Sequence, residues 1–132
     1  MTLEDYALSE FAEHNWMTRF LTNEMTGMVT THHLEIAKEI LRRKVLVGLT
    51  IDMENSFERF GKYLGWNEDP LSKDQKHCLK GYLAGGSNQN KHAIAEEATK
   101  GWRILRGNNL LDLELYDYVL QLYHEQGKVL GF

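Results

Sequence analysis

A short apolar run, Val45-Leu46-Val47-Gly48-Leu49, constrains what this chain can fold into more than any other stretch. Helical periodicity precedes the run and follows it. This context favours a strand, at about residues 45–50, that is buried on both faces of an α/β sheet. One strand cannot form a sheet, and no second convincing strand is readable in the remaining sequence. The chain is therefore predicted to be either mostly helical or one part of a larger α/β domain.

The remainder of the chain is dominated by amphipathic helical patterns. The clearest apolar stripe, which we expect to be buried in the core, is formed by Met53, Phe57, Phe60 and Leu64. The predicted helices span residues 3–13, 32–43, 53–64, 92–106 and 110–126, and a short helix within 74–84 is left open.

Capping residues and glycines mark the ends of these helices. Asp52 is predicted to cap the helix that follows it, and Thr30 or Thr31 the helix before the apolar run. Asn109 with Asp112 resembles a capping box that opens the last helix. The glycines expected to end helices are Gly65, Gly107 and Gly127.

Length and composition suit one domain with no general attraction to nucleic acid. The chain has 132 residues and a formal charge of -4, so neither nucleic acid nor an anionic membrane is an expected partner. No apolar run approaches the roughly 20 residues of a membrane span. The single cysteine, Cys78, excludes an intramolecular disulfide and is expected to be a buried structural residue.

Histidines and arginines give weak signals for a site. His32 and His33 with Glu35 lack the i, i+4 spacing that places two metal ligands on one helix face, so no metal is expected. Arg19 lies between two aromatic residues. We expect its stem to pack on them with its head in water, and the alternative is contact with a phosphate or an acidic acceptor.

The polar loop at residues 85–92, Gly-Gly-Ser-Asn-Gln-Asn-Lys-His, is the candidate anion site. It offers backbone N–H groups, a hydroxyl, amides and a cation, and the helix predicted after it would add partial positive charge. An ordinary surface connection is the alternative. The candidate ligand-binding residues are Gly86, Ser87 and Lys91 first, and Asn88, Asn90 and His92 second.

A series of segments follows a recognisable order from about residue 15 to residue 126. Its members are Asn15-Trp16-Met17-Thr18-Arg19-Phe20-Leu21, His33-Leu34-Glu35-Ile36-Ala37-Lys38-Glu39-Ile40-Leu41, the apolar run at 45–49, Ser56-Phe57-Glu58-Arg59-Phe60, Asn90-Lys91-His92, Trp102, and Asn109-Leu110-Leu111-Asp112-Leu113-Glu114-Leu115-Tyr116-Asp117-Tyr118. Together they resemble the C-terminal portion of a carbohydrate-type sulfotransferase domain. They are most similar to the sulfotransferase-like proteins of algae and other protists, which are distant relatives of the Golgi enzymes.

The resemblance implies a fold, a sulfuryl donor and a reaction. The family fold is a parallel sheet flanked by helices, related to nucleotide kinases, so an α/β class with a predominantly helical C-terminal part is implied here. The donor is 3′-phosphoadenosine 5′-phosphosulfate (PAPS), and the sulfuryl group passes to a hydroxyl or amine of an acceptor, commonly a sugar. PAPS phosphates, or an anionic acceptor, become the implied ligand of loop 85–92, and the Golgi lumen the implied compartment.

The sequence also departs from the family pattern. The phosphosulfate loop of the family follows a first strand and supplies a lysine and a hydroxyl, whereas Lys80-Gly81-Tyr82 has neither the strand nor the spacing. The residues that hold the 3′-phosphate and the general base cannot be matched either. Residues 1–132 are thus expected to be a single partial domain that lacks the N-terminal phosphate-loop part, is inactive alone, and self-associates or needs that missing half. The alternative is a small helical binding or assembly domain without catalysis.

Overall fold

The computed structural model describes residues 1–66, 72–85 and 95–132. Helices account for 71% of these described residues, which contain no strand and no sheet. The helices are α1 (Leu3–Ala7), α2 (Trp16–Thr22), α3 (Thr31–Lys44), a 3₁₀ turn (Thr50–Asp52), α4 (Met53–Leu64), α5 (Lys73–Gly85), α6 (Lys100–Asn108) and α7 (Leu110–Leu130). The predicted α/β class is therefore wrong, and the described part of the chain is all-helical.

The chain divides into two compact units. The first unit comprises Met1–Val45 with Ala93–Gln121, and the second comprises Leu46–His92 with Leu122–Phe132. Within the first unit α1 packs on α6 and α2 on α3, around buried apolar residues that include Leu34, Ala37 and Leu115. The second unit buries Val47, Leu49, Leu122 and Tyr123.

The predicted strand is an extended segment that no described strand pairs with. Leu49 has φ -111° and ψ 130°, and burial alternates along the run, with Val47 and Leu49 buried and the residue between them exposed. The backbone N–H of Val47 donates to Gln126 Oε1 (2.9 Å), and that of Leu49 donates to Ser56 Oγ (2.8 Å). Side chains thus accept the backbone N–H groups of Val47 and Leu49, which a neighbouring strand would accept in a sheet. The prediction of a strand buried on both faces is therefore wrong.

Within the second unit, the most deeply buried side of helix α4 is polar and is not its apolar stripe. Its buried residues are Ser56, Arg59 and Gly61. Of the predicted core residues, Phe60 is half-buried, whereas Met53, Phe57 and Leu64 are 44%, 37% and 52% exposed. The reason lies in Gly48. A Cβ there would stand 2.6 Å from Phe60 Cζ and 3.2 Å from Ser56 Cβ, so glycine lets the extended segment lie directly on the Ser56 side of the helix.

Helix ends agree with the sequence predictions only in part. Gly65 ends α4 in the left-handed conformation (φ 72°), as predicted. Gly107 and Gly127 were expected to end helices but lie inside α6 and α7. At Gly127 a Cβ would lie 2.8 Å from Arg59 Cζ, so this glycine leaves room for the head group of Arg59 and does not mark a helix end.

The first predicted helix is shorter than expected. It ends at Ala7, where the Ser9 hydroxyl donates to the carbonyl of Tyr6 (2.7 Å) and competes with further helical bonds. Helix α6 begins at Lys100, capped by Thr99 Oγ1, which accepts the N–H of Trp102 (3.3 Å). The helix predicted from residue 92 is therefore too long over 95–99, and its first three residues lie outside the described ranges.

None of the described helices combines the length and the apolar character that crossing a membrane requires.

Candidate functional site

The predicted anion loop lies outside the described residues. This applies to every residue named for it: Gly86, Ser87, Asn88, Asn90, Lys91 and His92. The binding role of these residues therefore stays a prediction. Helix α5 extends to Gly85, at the N-terminal end of the loop.

Two helix N-termini in the first unit cap each other. Asn15 Oδ1 accepts the backbone N–H groups of Leu111 (2.9 Å) and Asp112 (3.2 Å) at the start of α7. In return, the carboxylate of Asp112 accepts the N–H groups of Met17 and Thr18 at the start of α2, both at 2.8 Å. The reciprocal caps satisfy four of the donors that helix starts leave free.

Asn109 and Asp112 therefore act as caps, but they accept from residues at the start of α2 and not from each other's backbone as predicted. Asn109 Oδ1 accepts the backbone N–H of Asn15 (2.8 Å), and its amide donates to the carbonyl of Leu105 (2.8 Å). Asp112 also accepts the hydroxyl of the fully buried Thr18 (2.7 Å). With three donors satisfied, this carboxylate is a structural acceptor.

Arg19 is half-buried, and its head group, which was predicted to lie in water, donates to backbone carbonyls. Its Nε donates to the carbonyl of His14 (2.9 Å), and one terminal nitrogen donates to the carbonyls of Glu24 (3.1 Å) and Gly27 (2.6 Å). These bonds tie the segments on both sides of α2 to the helix. Arg19 thereby shapes the chain around Trp16, whose ring stacks on Phe20 with 5.1 Å between centroids.

A buried polar cluster that the sequence pattern did not predict lies in the second unit. The hydroxyl of Tyr123 donates to Asp52 Oδ2 (2.8 Å), and Ser56 Oγ donates to the backbone carbonyl of Asp52 (2.8 Å). The Asp52 side chain makes no cap for α4, contrary to the prediction, and its oxygens instead accept from Tyr123 and Asn55. Ser56 accepts the N–H of Leu49 as well, so its hydroxyl both donates and accepts within the cluster.

Arg59 completes this cluster as a buried cation. Only 6% of the residue is exposed, one terminal nitrogen donates to the carbonyl of Tyr123 (2.6 Å), and Cζ stands 3.6 Å from the centroid of the Tyr123 ring. Among the described residues Nε has no hydrogen-bond partner and no carboxylate pairs with the guanidinium. The aromatic ring and the carbonyl offset part of the desolvation cost of this charge.

A cationic groove lies between α4 and α5 in the second unit. Its volume is about 380 Å³, and it is lined by Glu54, Lys76, Leu79, Lys80 and Leu83. The two lysines are four residues apart and so share one side of α5. The i, i+4 pairs of lysine and leucine were readable in the sequence, but this helix was left open there. We call this feature the α5 groove.

On the surface of α3, one carboxylate pairs with two arginines. Arg42 and Arg43 both bind the carboxylate of Glu39, and the hydrogen bond from Arg42 is the largest cause that lowers the pKa of Glu39 to about 2. Within the described ranges no cluster of histidine, cysteine and acidic residues could hold a metal ion. Cys78 is exposed, contrary to the prediction of a buried structural residue.

Comparison with protein-family models, with curated proteins and with solved structures gives no match to this chain.

Proposed function

We propose that this chain acts as the C-terminal segment of a sulfotransferase that moves a sulfuryl group from PAPS to a hydroxyl or amine of an acceptor, most suitably a carbohydrate. The α5 groove is the observation that carries the proposal. PAPS is a polyanion, and the groove places Lys76 and Lys80 on the helix that leads to the predicted loop residues 86–92. Two ammonium groups and the loop lysine would together attract its phosphates.

The shape of the α5 groove is compatible with part of a nucleotide. Small-molecule sites usually occupy roughly 300–1,000 Å³ and combine apolar walls with a few polar groups. Leu79 and Leu83 supply an apolar wall, and the two lysines outnumber the single acid, Glu54. The described residues pair neither lysine with a carboxylate, so both ammonium groups are available to a ligand.

The residues behind the resemblance also support the proposal, because they bind one another. Segments 15–21 and 109–118 exchange the reciprocal caps, and segments 45–49 and 56–60 meet through the Leu49–Ser56 hydrogen bond and the Gly48–Phe60 contact. These contacts form two separate sets, one within each compact unit. The all-helical fold limits the role of the chain to one edge of a transfer site, so we expect no turnover by the chain alone.

Ligand-dependent thermal stability tests the proposal. The isolated chain is heated with 3′,5′-adenosine bisphosphate, the product of the donor, and with adenosine as the uncharged control. A ligand that binds only the folded state stabilises it by about 2.7 kcal/mol at 100 times its Kd. We expect the melting temperature to rise with the bisphosphate and to stay constant with adenosine.

A paired substitution assigns that shift to the α5 groove. Lys76→Ala with Lys80→Ala should abolish the stabilisation, because both lysines are exposed and their loss should leave the fold intact. The matched control, Lys44→Ala with Lys128→Ala, removes the same charge from exposed positions elsewhere and should keep the stabilisation. A shift that is absent in the parent chain, or that survives the groove variant, would contradict the proposal.

A helical binding domain without catalysis is the second candidate function. It is favoured by the exposed apolar residues Met53, Phe57 and Leu64 on α4, which the second unit leaves uncovered among the described residues. Such a domain has no need of a nucleotide. The same melting experiment separates the two candidates, since this one requires equal curves with and without the bisphosphate.

A further inference from the structure

The first unit carries an open groove that the helix caps and the proposed donor site do not use. Its volume is about 370 Å³, and its lining comes from the segment between Ser9 and Met25. Its large apolar residues are Phe11, Trp16 and Met25, which are 70%, 40% and 53% exposed. Exposed aromatic and methionine side chains gathered in one concavity are typical of a binding surface. We call this feature the Trp16 groove.

Carboxylates outnumber guanidinium groups by two to one in the lining of the Trp16 groove. Arg19 also lines it, but Nε and one terminal nitrogen of Arg19 are committed to backbone carbonyls. Glu10 and Glu13 line the groove as well, and neither forms an ion pair with another described residue. The groove therefore combines exposed aromatic rings with two carboxylates that form no ion pair among the described residues, and its one guanidinium is held by backbone carbonyls.

The surrounding charge favours a cationic ligand too. The first 30 residues contain one basic side chain, Arg19, and five acids: Glu4, Asp5, Glu10, Glu13 and Glu24. Their formal charge equals the -4 of the whole chain, so the remaining residues are balanced. Within residues 9–25, which form the groove, three acids outnumber Arg19 by two charges, and this excess would attract and orient a basic partner.

We propose that the Trp16 groove docks a basic segment of a partner protein. A lysine or arginine side chain fits both parts of the lining. Its aliphatic stem would lie on Phe11 and Trp16, and its charged head would meet Glu10 and Glu13. Contact between the cation and the indole ring would add to the attraction, and Met25 can adjust its shape to the partner side chain.

Fluorescence anisotropy with a labelled peptide of alternating lysine and leucine tests this proposal. We expect this peptide to bind the full chain saturably. The counterpart peptide with glutamate in place of lysine should not bind. Glu10→Gln with Glu13→Gln should weaken binding about fivefold, since each exposed charge pair contributes a modest amount. Phe11→Ser, at a residue that is 70% exposed, should also weaken it without loss of the fold.

Two control variants test whether peptide binding is specific to the Trp16 groove. Glu58→Gln with Glu114→Gln removes the same charge from exposed residues outside the groove and should leave the affinity unchanged. An equal loss in this control, or equal binding of the glutamate peptide, would overturn the proposal. Lys76→Ala with Lys80→Ala should not affect peptide binding, because the α5 groove belongs to the other unit, so the two proposals can fail separately.

Discussion

Asp112 contributes to the fold through donors that are distant in sequence. Its two oxygens accept the N–H groups of Met17 and Thr18 and the hydroxyl of Thr18. Because Thr18 is fully buried, its hydroxyl has no water to bond with when the carboxylate is removed. The cost of losing this carboxylate therefore includes both a helix cap and an unsatisfied buried donor.

Asp112→Ala should lower the free energy of unfolding by about 2 kcal/mol, the sum expected for a lost cap and a lost buried acceptor. Urea titration followed by circular dichroism measures this value. Asp117→Ala is the matched control, since Asp117 is exposed on the same helix. Equal losses in the two variants would show that the cap contributes nothing beyond a general effect of removing a carboxylate from α7.

Glycines determine element ends less often than the sequence pattern indicates. Gly107 lies inside α6, and a Cβ there would meet no atom within 4 Å. Gly48 is the opposite case, since its Cβ would overlap Phe60 of α4. The same residue type is thus replaceable in one element and required by packing in the other.

Gly107→Ala should stabilise the chain by up to about 1 kcal/mol, because alanine loses less backbone entropy in a helix. Gly48→Ala should destabilise it by about 1–3 kcal/mol through overpacking against α4. Thermal melts of the two variants provide the measurement. A destabilised Gly107→Ala variant would favour the predicted helix end at this glycine over its observed position inside α6.

At the scale of the whole molecule, the described chain is built from helices alone. The predicted sheet depended on the apolar run at 45–49 and on the family resemblance, and the N–H donors of Val47 and Leu49 in that run bond to Gln126 and Ser56. Segments 15–21 and 109–118 contact each other, as do segments 45–49 and 56–60, yet the described residues do not form the α/β fold of that family. Function and fold class are therefore separate questions for this chain.

The far-ultraviolet circular dichroism spectrum of the isolated chain should be that of a predominantly helical protein, given that 71% of the described residues are helical. The infrared amide I band should agree, with its main component at the helical position. A leading sheet component at low protein concentration would contradict the all-helical fold. Repeating the measurement at high concentration would show whether association adds sheet, as self-association through exposed apolar surface could do.

The sequence by itself determined the features that depend on neighbours within about one helical turn. These include the existence of helices at α3, α4 and α7, the left-handed end at Gly65 and the concentration of acidic charge before residue 30. Periodicity and local caps carry this information directly. The Ser56 and Arg59 side of α4 was missed because polar residues on a helix resemble a solvated face.

Only the tertiary structure decided which partners these residues take. Asn15 and Asp112 cap each other's helices across 97 positions, Gly127 makes room for Arg59, and Tyr123 takes the carboxylate expected to cap α4. The sequence shows only that a polar side chain needs a hydrogen-bond partner. Which donor or acceptor it meets depends on how distant segments pack, and that packing also turned the apolar run into an extended segment bonded to side chains.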